Sequence, residues 1–134
     1  MTNLRLFEDD WQGVRSRDTE YQCERPEQIH EALGKLNGKN KTIVALIADD
    51  DHHLTVGGGN DGKYVCYLTG GSQILNLKNP TIAKGTETVR IVAGGQAGDF
   101  AADLCVDLGQ VTLAADYYWA RGEPNPALVW EPAQ

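Results

Sequence analysis

The spacing of apolar residues predicts two amphipathic helices on either side of a strand-rich centre. The first extends from residue 26 to about residue 37, where apolar side chains recur at helical spacing: Ile29, Ala32, Leu33 and Leu36. Pro26 suits the first helical position because its missing N–H has no intrahelical partner there. Gly38 favours a helix end because glycine readily adopts a left-handed conformation.

The second helix is predicted over Leu108–Arg121, with an apolar stripe of its own: Val111, Ala114, Ala115 and Tyr118. Asp107 and Gln110 have the spacing of a capping box, in which each side chain bonds the backbone N–H of the other residue. Gly122 and Pro124 follow and favour termination of the helix.

Strands are predicted between the helices, in β-branched or alternating stretches over residues 42–48, 53–56, 63–69, 72–77 and 88–92. Residues 128–131 indicate a closing strand, and residues 4–7 and 18–23 carry weaker strand patterns. Short connections favour antiparallel pairing, because a parallel pair needs a long crossover. The order predicts an α+β fold in one domain over residues 1–134: an antiparallel β-sheet of about five to six strands with two helices on one face. Residues 1–25 are its least patterned segment.

The charge balance disfavours direct binding of nucleic acid. Nineteen acidic against twelve basic residues give the 134-residue chain a formal net charge of −7, whereas affinity for nucleic acid depends largely on cationic contacts to phosphate. Residues 91–134 hold six of the acids and a single base, Arg121. An acidic surface suits a basic protein partner, and it also serves plain solubility.

The cysteines and the apolar runs indicate a cytoplasmic protein. The longest apolar run, residues 43–48, is far shorter than a membrane span, and the first residues lack the apolar stretch of a signal peptide. Cys23, Cys66 and Cys105 are widely spaced and odd in number, which favours reduced thiols. None has a histidine partner in sequence, so buried, unreactive thiols are predicted.

Two glycine-rich motifs indicate turns and not a ligand-binding or catalytic site. Gly57, Gly62 and Lys63 have the spacing of a phosphate-binding loop, but Tyr64 stands where a magnesium-binding hydroxyl is needed and a strand pattern follows. A glycine-rich β connection is predicted instead. The Gly94-Gly95-Gln96 triplet likewise predicts a tight turn after a strand.

Asp49, Asp50, Asp51, His52 and His53 are the one cluster of metal-ligand types. Consecutive residues in an extended chain point to opposite sides, so convergence on one ion is disfavoured, and no cofactor is predicted. A solvated acidic hairpin loop is the simpler interpretation. A small metal- or ligand-binding protein that uses the Asp49–His53 loop stays as the alternative. Aromatic residues near the C-terminus suit either the core or an interface: Tyr117, Tyr118, Trp119 and Trp130.

Several segments together match a known family. Residues 54–65 read LTVGGGNDGKYV and residues 94–100 read GGQAGDF; a helix containing Ala114-Ala115 follows, and then Trp130-Glu131. Over residues 26–131 the chain resembles the Imm1 family of immunity proteins from bacterial polymorphic toxin systems. That resemblance implies a cytoplasmic α+β protein, not an enzyme, that neutralises a toxin by stoichiometric binding. Many such toxins resemble nucleic-acid deaminases, which are zinc enzymes.

The resemblance divides the candidate residues into two groups. Exposed acids and loop residues are the predicted toxin contacts: Asp49, Asp50, Asp51, Asn60, Asp61, Asp99 and Phe100. The shared motif is expected to maintain the fold: Leu54, Gly57, Gly58, Gly59, Gly62, Gly94, Gly95, Trp130 and Glu131. A homodimer through an exposed sheet edge stays open.

Overall fold

The computed structural model describes residues 3–133, which form eleven strands, two α-helices and one short 3-10 helix. The strands are β1 (Leu4–Glu8), β2 (Trp11–Gln12), β3 (Arg15–Ser16), β4 (Thr19–Cys23), β5 (Ile43–Asp49), β6 (His52–Asn60), β7 (Lys63–Gly70), β8 (Gln73–Lys78), β9 (Thr88–Ala93), β10 (Gln96–Ala101) and β11 (Val129–Pro132). The helices are α1 (Pro26–Lys35) and α2 (Leu108–Arg121), and the 3-10 helix covers Ala102–Leu104.

Seven strands form one antiparallel sheet in the order β11-β8-β7-β6-β5-β1-β4. The predicted α+β class is therefore confirmed, with more strands than the expected five or six. The additional strands come from the weakly patterned N-terminal segment, where β1 lies between β5 and β4. Two hairpins, β2–β3 and β9–β10, lie outside this sheet, and β9 packs against β6.

Both helices pack on the same face of the sheet, as predicted. The core between them contains the predicted helix stripes and alternate residues of the strands, among them Leu4, Leu6, Val44, Leu46, Leu54, Val56, Cys66 and Leu68. His30 on α1 lies 2.7 Å from Asp116 on α2 and joins the two helices at their exposed side. The opposite face of the sheet carries no α-helix among residues 3–133, and the short 3-10 helix lies beside β8.

The ends of the helices follow from local hydrogen bonds. The Gln110 N–H donates to Asp107 Oδ1 at 2.8 Å and the Asp107 N–H donates to Gln110 Oε1 at 3.1 Å, which completes the predicted capping box. Gly122 ends α2 in a left-handed conformation. Helix α1 ends two residues before the predicted boundary, because Leu36 leaves the helical conformation and turns its side chain into the core. Gly38 lies in the loop beyond it.

The glycine run differs most from expectation. Gly57, Gly58 and Gly59 belong to strand β6, and only Asp61 and Gly62 form the turn to β7. The ladder with β7 is irregular between Gly58 and Asn60, as at a β-bulge. Strand β10 was not predicted from the sequence, and it places Asp99 and Phe100 in a strand and not in a loop.

Helix α1 contains a glycine that has no structural role. Gly34 is exposed in the last turn of α1, and a Cβ built there meets nothing within 4 Å. Because glycine costs about 0.5–1 kcal/mol relative to alanine in a helix, we expect Gly34→Ala to raise the free energy of unfolding by about that amount. Urea denaturation of the two proteins measures the difference, and a lower midpoint for the variant would contradict the expectation.

Candidate functional site

A continuous row of side chains crosses the face of the sheet opposite the two α-helices. The strand registers align one residue from each of the seven strands: Glu20, Phe7, Ala45, Thr55, Tyr67, Asn76 and Glu131. The row has an acid at each end and mostly apolar side chains between them. Ala45 and Tyr67 in its centre are only partly buried. We call this side of the sheet the open face.

The β9–β10 hairpin covers one end of the open face and forms a wall beside it. Ile91 of β9 is fully buried in a second apolar cluster with Val65 and Cys105, and Phe100 of β10 packs against that cluster. The Val92 N–H donates to the Asn60 side-chain oxygen at 3.0 Å. These contacts attach the hairpin to β6 and β7.

The glycines of β6 allow the hairpin to approach the sheet this closely. A Cβ on Gly57 would lie 2.5 Å from the Ala93 Cβ, and a Cβ on Gly58 would lie 2.8 Å from Ile91 Cγ2. Real Cβ contacts are not that short, so larger residues at these two positions would push the hairpin away from the sheet. The LTVGGG segment therefore forms the surface on which the wall rests.

A buried polar network holds the turn of the same hairpin. Asp9 Oδ1 accepts hydrogen bonds from the Thr42 N–H at 2.8 Å and the Ile43 N–H at 3.0 Å. Asp9 Oδ2 accepts from Trp11 Nε1 at 2.8 Å and from the Thr42 hydroxyl. Thr42 Oγ1 in turn accepts from the Gly95 N–H at 2.9 Å. Gly95 is required there, because a Cβ would lie 2.1 Å from the Trp11 ring.

A groove runs along the open face beside this wall. Its deep part is an apolar cavity of about 280 Å³ between the sheet and the hairpin, lined by residues that include Ile43, Gly57, Val65, Tyr67, Ala93, Phe100 and Leu104. A shallower depression of about 390 Å³ continues from it across the sheet and shares Ile43, Thr55 and Tyr67 with it. The shallow part is lined further by Phe7, Ala45, Ile47 and His53.

The shallow end of the groove is acidic. Asp49, Asp50 and Glu20 line it, and its one basic residue, Arg5, lies 2.7 Å from Glu20. The hydrogen bond between His52 and Asp49, 2.8 Å long, lowers the pKa of the Asp49 carboxyl below its usual value. Asp49 is therefore ionised at neutral pH, and this end of the groove favours a cationic group.

Two ion pairs lie next to the deep end of the groove, so its charges cancel. A further depression of about 280 Å³ shares Asn76 and Leu104 with the deep cavity. Lys84 lies 2.9 Å from Glu131 at its edge, and this contact lowers the pKa of Glu131. Asp103, buried beneath, lies 3.6 Å from Lys78. Acids and bases are equal in number at this end.

The predicted contact residues are divided between the two ends of the sheet. Asp49, Asp50 and Phe100 line the groove, and Asp51 lies in the same turn as the first two. Asn60 and Asp61 lie at the far end of β6, about 30 Å away at the usual rise per residue.

The Asn60 side chain is held within the fold, since its amide donates to the Gly38 carbonyl at 3.3 Å and its oxygen accepts from Val92. Asp61 is exposed in the turn with φ 53°. Asp99 lies 3.5 Å from Arg90 and alternates with Phe100 along β10, so it points away from the groove.

Two other motif residues lie in or beside the core. Leu54 is buried under the helices. Trp130 of β11 is half-buried against the core, and its indole N–H donates to the Asn125 carbonyl at 3.0 Å. Of the other aromatic candidates, Tyr118 is buried, whereas Tyr117 and Trp119 are half-buried on α2.

Of the groove residues, only Asp49, Asp50 and Phe100 were predicted as contacts from the sequence, and the others, Glu20 included, were not. The signal was present in β5, where Ile43, Ala45 and Ile47 alternate with buried Val44 and Leu46. Both faces of this strand are apolar, although only one face is covered by helices. An apolar side chain on a face without a helix indicates either a second covering element or a binding surface.

The alternative metal site is not assembled. His52 and His53 are adjacent in β6 and therefore point to opposite faces of the sheet. His52 bonds Asp49, whereas His53 lies 3.3 Å from Thr55 Oγ1 beside the groove. Among residues 3–133, no group of three or more His, Cys, Asp or Glu side chains is placed to hold a metal ion.

The cysteines are buried, as predicted, and all three are free. Burial raises the pKa of the Cys23, Cys66 and Cys105 thiols. They are therefore protonated at neutral pH and are poor nucleophiles. The segment with phosphate-loop spacing leads into strand β7 and not into a helix.

The architecture and the groove define a small α+β protein with one helix-covered sheet face and one open, partly acidic face. The family model of immunity protein Imm1 matches residues 17–132 of the chain. The chain therefore belongs to the Imm1 family of immunity proteins. No curated protein shows significant similarity to the chain. Within residues 3–133, no helix combines the length and apolar character that a membrane crossing requires.

Proposed function

We propose that this protein neutralises a cognate toxin by stoichiometric binding through the groove on its open face. The observation that carries the proposal is the groove itself, an apolar cavity whose outer end is lined by Asp49, Asp50 and Glu20. The partner is a bacterial toxin domain that acts on nucleic acid, of the deaminase type. The protein acts in the cytoplasm of the producing cell and catalyses no reaction of its own.

The dimensions of the open face suit a protein partner. Seven strands at a spacing of about 4.8 Å make the face roughly 29 Å wide. A stable complex buries about 800 Å² on each partner, which corresponds to a patch of roughly that width in both directions. The partly exposed apolar residues in the centre and the charged residues at the ends match the usual arrangement of an interface, with an apolar core and a polar rim.

The charge of the protein supports a toxin that acts on nucleic acid. Such an enzyme needs a cationic surface to hold the phosphate backbone. A partner with net charge −7 is attracted to that surface from a distance, so the inhibitor reaches the toxin faster than a neutral protein would. Binding at that surface also excludes the substrate.

The direct test is inhibition of the toxin domain encoded by the neighbouring gene. We expect the purified protein to form a one-to-one complex with that domain and to abolish its activity at equimolar concentration. Deamination of a single-stranded oligonucleotide reports the activity, and sedimentation reports the stoichiometry. Toxin activity that is unchanged by an excess of the protein would refute the proposed function.

Reversal of the acidic turn is expected to slow association. The triple variant Asp49→Lys, Asp50→Lys and Asp51→Lys takes the formal net charge from −7 to −1, since each exchange adds two charges. At low salt we expect the association rate to fall roughly tenfold or more, because electrostatic steering is lost. Surface plasmon resonance with the immobilised toxin domain measures the rate.

A matched control separates the location of the charge from its total. Glu24, Glu27 and Glu31 are exposed on and beside α1, on the helix-covered side, and their exchange to lysine changes the net charge equally. We expect that control to retain more of the association rate than the turn variant. The difference should shrink at high salt as charges are screened. Equal slowing by both triples would show that the turn has no special role.

A further inference from the structure

We infer that the toxin inserts one large aromatic side chain into the deep cavity and places a lysine or arginine against Asp49 and Asp50. This inference rests on the proposed function and adds the chemistry of the toxin segment that the groove receives. The residues that carry it are Tyr67 and Phe100, which line the cavity, and the two aspartates at the other end of the groove.

The cavity has the lining and the size for an aromatic ring. Apolar cavities of roughly 150 Å³ hold a benzene ring, so a cavity of about 280 Å³ accommodates a phenyl or an indole group. Its lining is almost wholly apolar and includes the ring of Tyr67. Aromatic side chains seated in such pockets are the commonest anchors of protein interfaces.

The position of the acids fixes where the cationic side chain must lie. Ile43 lines the cavity and Asp49 ends the same strand, six residues further along β5. At about 3.3 Å per residue, the two features lie roughly 20 Å apart. An extended toxin segment of about six residues spans that distance. The anchor and the cation are therefore expected about six residues apart in an extended segment, or on two adjacent loops.

The same charges argue against a second copy of this chain as the occupant. Pairing of two open faces about a twofold axis brings two acidic grooves together, and each copy carries a net charge of −7. Like charges across an interface are unfavourable. A cationic partner gains from the contact that a second copy would lose.

Two groove variants with opposite steric effects test the anchor. Tyr67→Ala removes a side chain that lines the cavity, and Asn76→Phe places a ring at its edge, where Asn76 is half-buried. We expect each to weaken the affinity for the toxin domain by at least about 30-fold, as loss of an interface anchor does. Tyr117→Ala, a half-buried tyrosine on the helix-covered side, is the matched control and should change the affinity by less than about threefold.

A defined small probe tests the cavity without the toxin. Titration with N-acetyl-tryptophanamide, followed by amide NMR, should give saturable shifts at Tyr67, Ala93 and Phe100, and Asn76→Phe should abolish them. Absence of saturable shifts in the wild-type protein would overturn the aromatic anchor. Thermal unfolding of each variant shows whether it is folded. If Tyr67→Ala does not fold, Asn76→Phe still tests the anchor.

The outcomes separate the two proposals. If the wild-type protein leaves the toxin active, the proposed function fails. If it inhibits the toxin but neither groove variant changes the affinity, the inference about the anchor fails while the function stands. If the wild-type protein sediments as a dimer and Tyr67→Ala as a monomer, a second copy occupies the groove and the inference is likewise overturned.

Discussion

Replacement of Asp9 by alanine is expected to lower the free energy of unfolding by about 3–5 kcal/mol, because each buried hydrogen-bond donor left without a partner costs about 1–3 kcal/mol. Asp9 is 3% exposed and accepts four hydrogen bonds. Alanine leaves the N–H groups of Thr42 and Ile43 and the indole of Trp11 without their acceptor. Urea denaturation measures the loss.

The effect of Asp9→Ala should extend to the groove wall. The Thr42 hydroxyl that bonds Asp9 also accepts the Gly95 N–H in the turn of the β9–β10 hairpin. We therefore expect the Gly95 amide to exchange with deuterium faster in the variant than the loss of global stability alone explains.

Two variants calibrate the Asp9 result. Asp9→Asn keeps one oxygen for the Thr42 and Ile43 amides but turns an NH₂ donor towards Trp11, so an intermediate loss is expected. Asp99→Ala removes an exposed carboxylate with a single ion pair at 3.5 Å, and should cost less than about 1 kcal/mol. An equal loss in Asp9→Ala and Asp99→Ala would show that the buried network contributes nothing.

The parts of the fold that were predicted from sequence are those whose apolar pattern repeats locally. The stripe of α2 and its capping box are contained in sixteen consecutive residues, 107–122. The central strands β5 and β7 likewise combine β-branched and aromatic residues with alternation. Each of these patterns needs no knowledge of distant residues, so the sequence alone was sufficient.

The parts that were missed depend on contacts between distant segments. Strand β10 reads QAGDFA and has little apolar alternation, because it pairs with β9, and β9 in turn rests on glycines more than thirty residues earlier. Hairpin β2–β3 is similar, since Trp11 is placed by Asp9 and by Gly95. Neither relation is visible in a local window of the sequence.

The groove could be predicted only in part, for a related reason. The acids of the Asp49–Asp51 turn are recognisable as an exposed loop because they interrupt a strand pattern. Tyr67 and Ile47 are ordinary strand residues until the topology shows which face the helices cover. Asn60, a predicted contact residue beside a turn, already makes two hydrogen bonds within the fold, one with Val92 of the hairpin and one with Gly38 in the loop after α1. Neither bond is visible in the local sequence.

Substitution of the β6 glycines is the second change for which we expect a large loss of stability. Gly59 has φ +100°, and a Cβ there would lie 2.4 Å from the backbone carbonyl of Leu36, which cannot rotate away. Backbone strain and overpacking together are expected to cost about 3–5 kcal/mol in Gly59→Ala. Gly62→Ala is the control, because φ is +71° but the space is open, so strain alone should cost about 1–2 kcal/mol.

Gly57 allows a test by rescue. Its backbone carries no positive φ, and the obstacle to a side chain is the Ala93 Cβ at 2.5 Å. Gly57→Ala should therefore cost about 1–3 kcal/mol by overpacking and weaken toxin binding as the wall shifts. The double variant Gly57→Ala, Ala93→Gly removes the clash and should recover most of both losses. The loss of stability in the double variant should therefore be smaller than the sum of the losses in the two single variants. Additive losses in the double variant would show that Gly57 acts through something other than its contact with the hairpin. The LTVGGG segment would then not be the surface on which the hairpin packs.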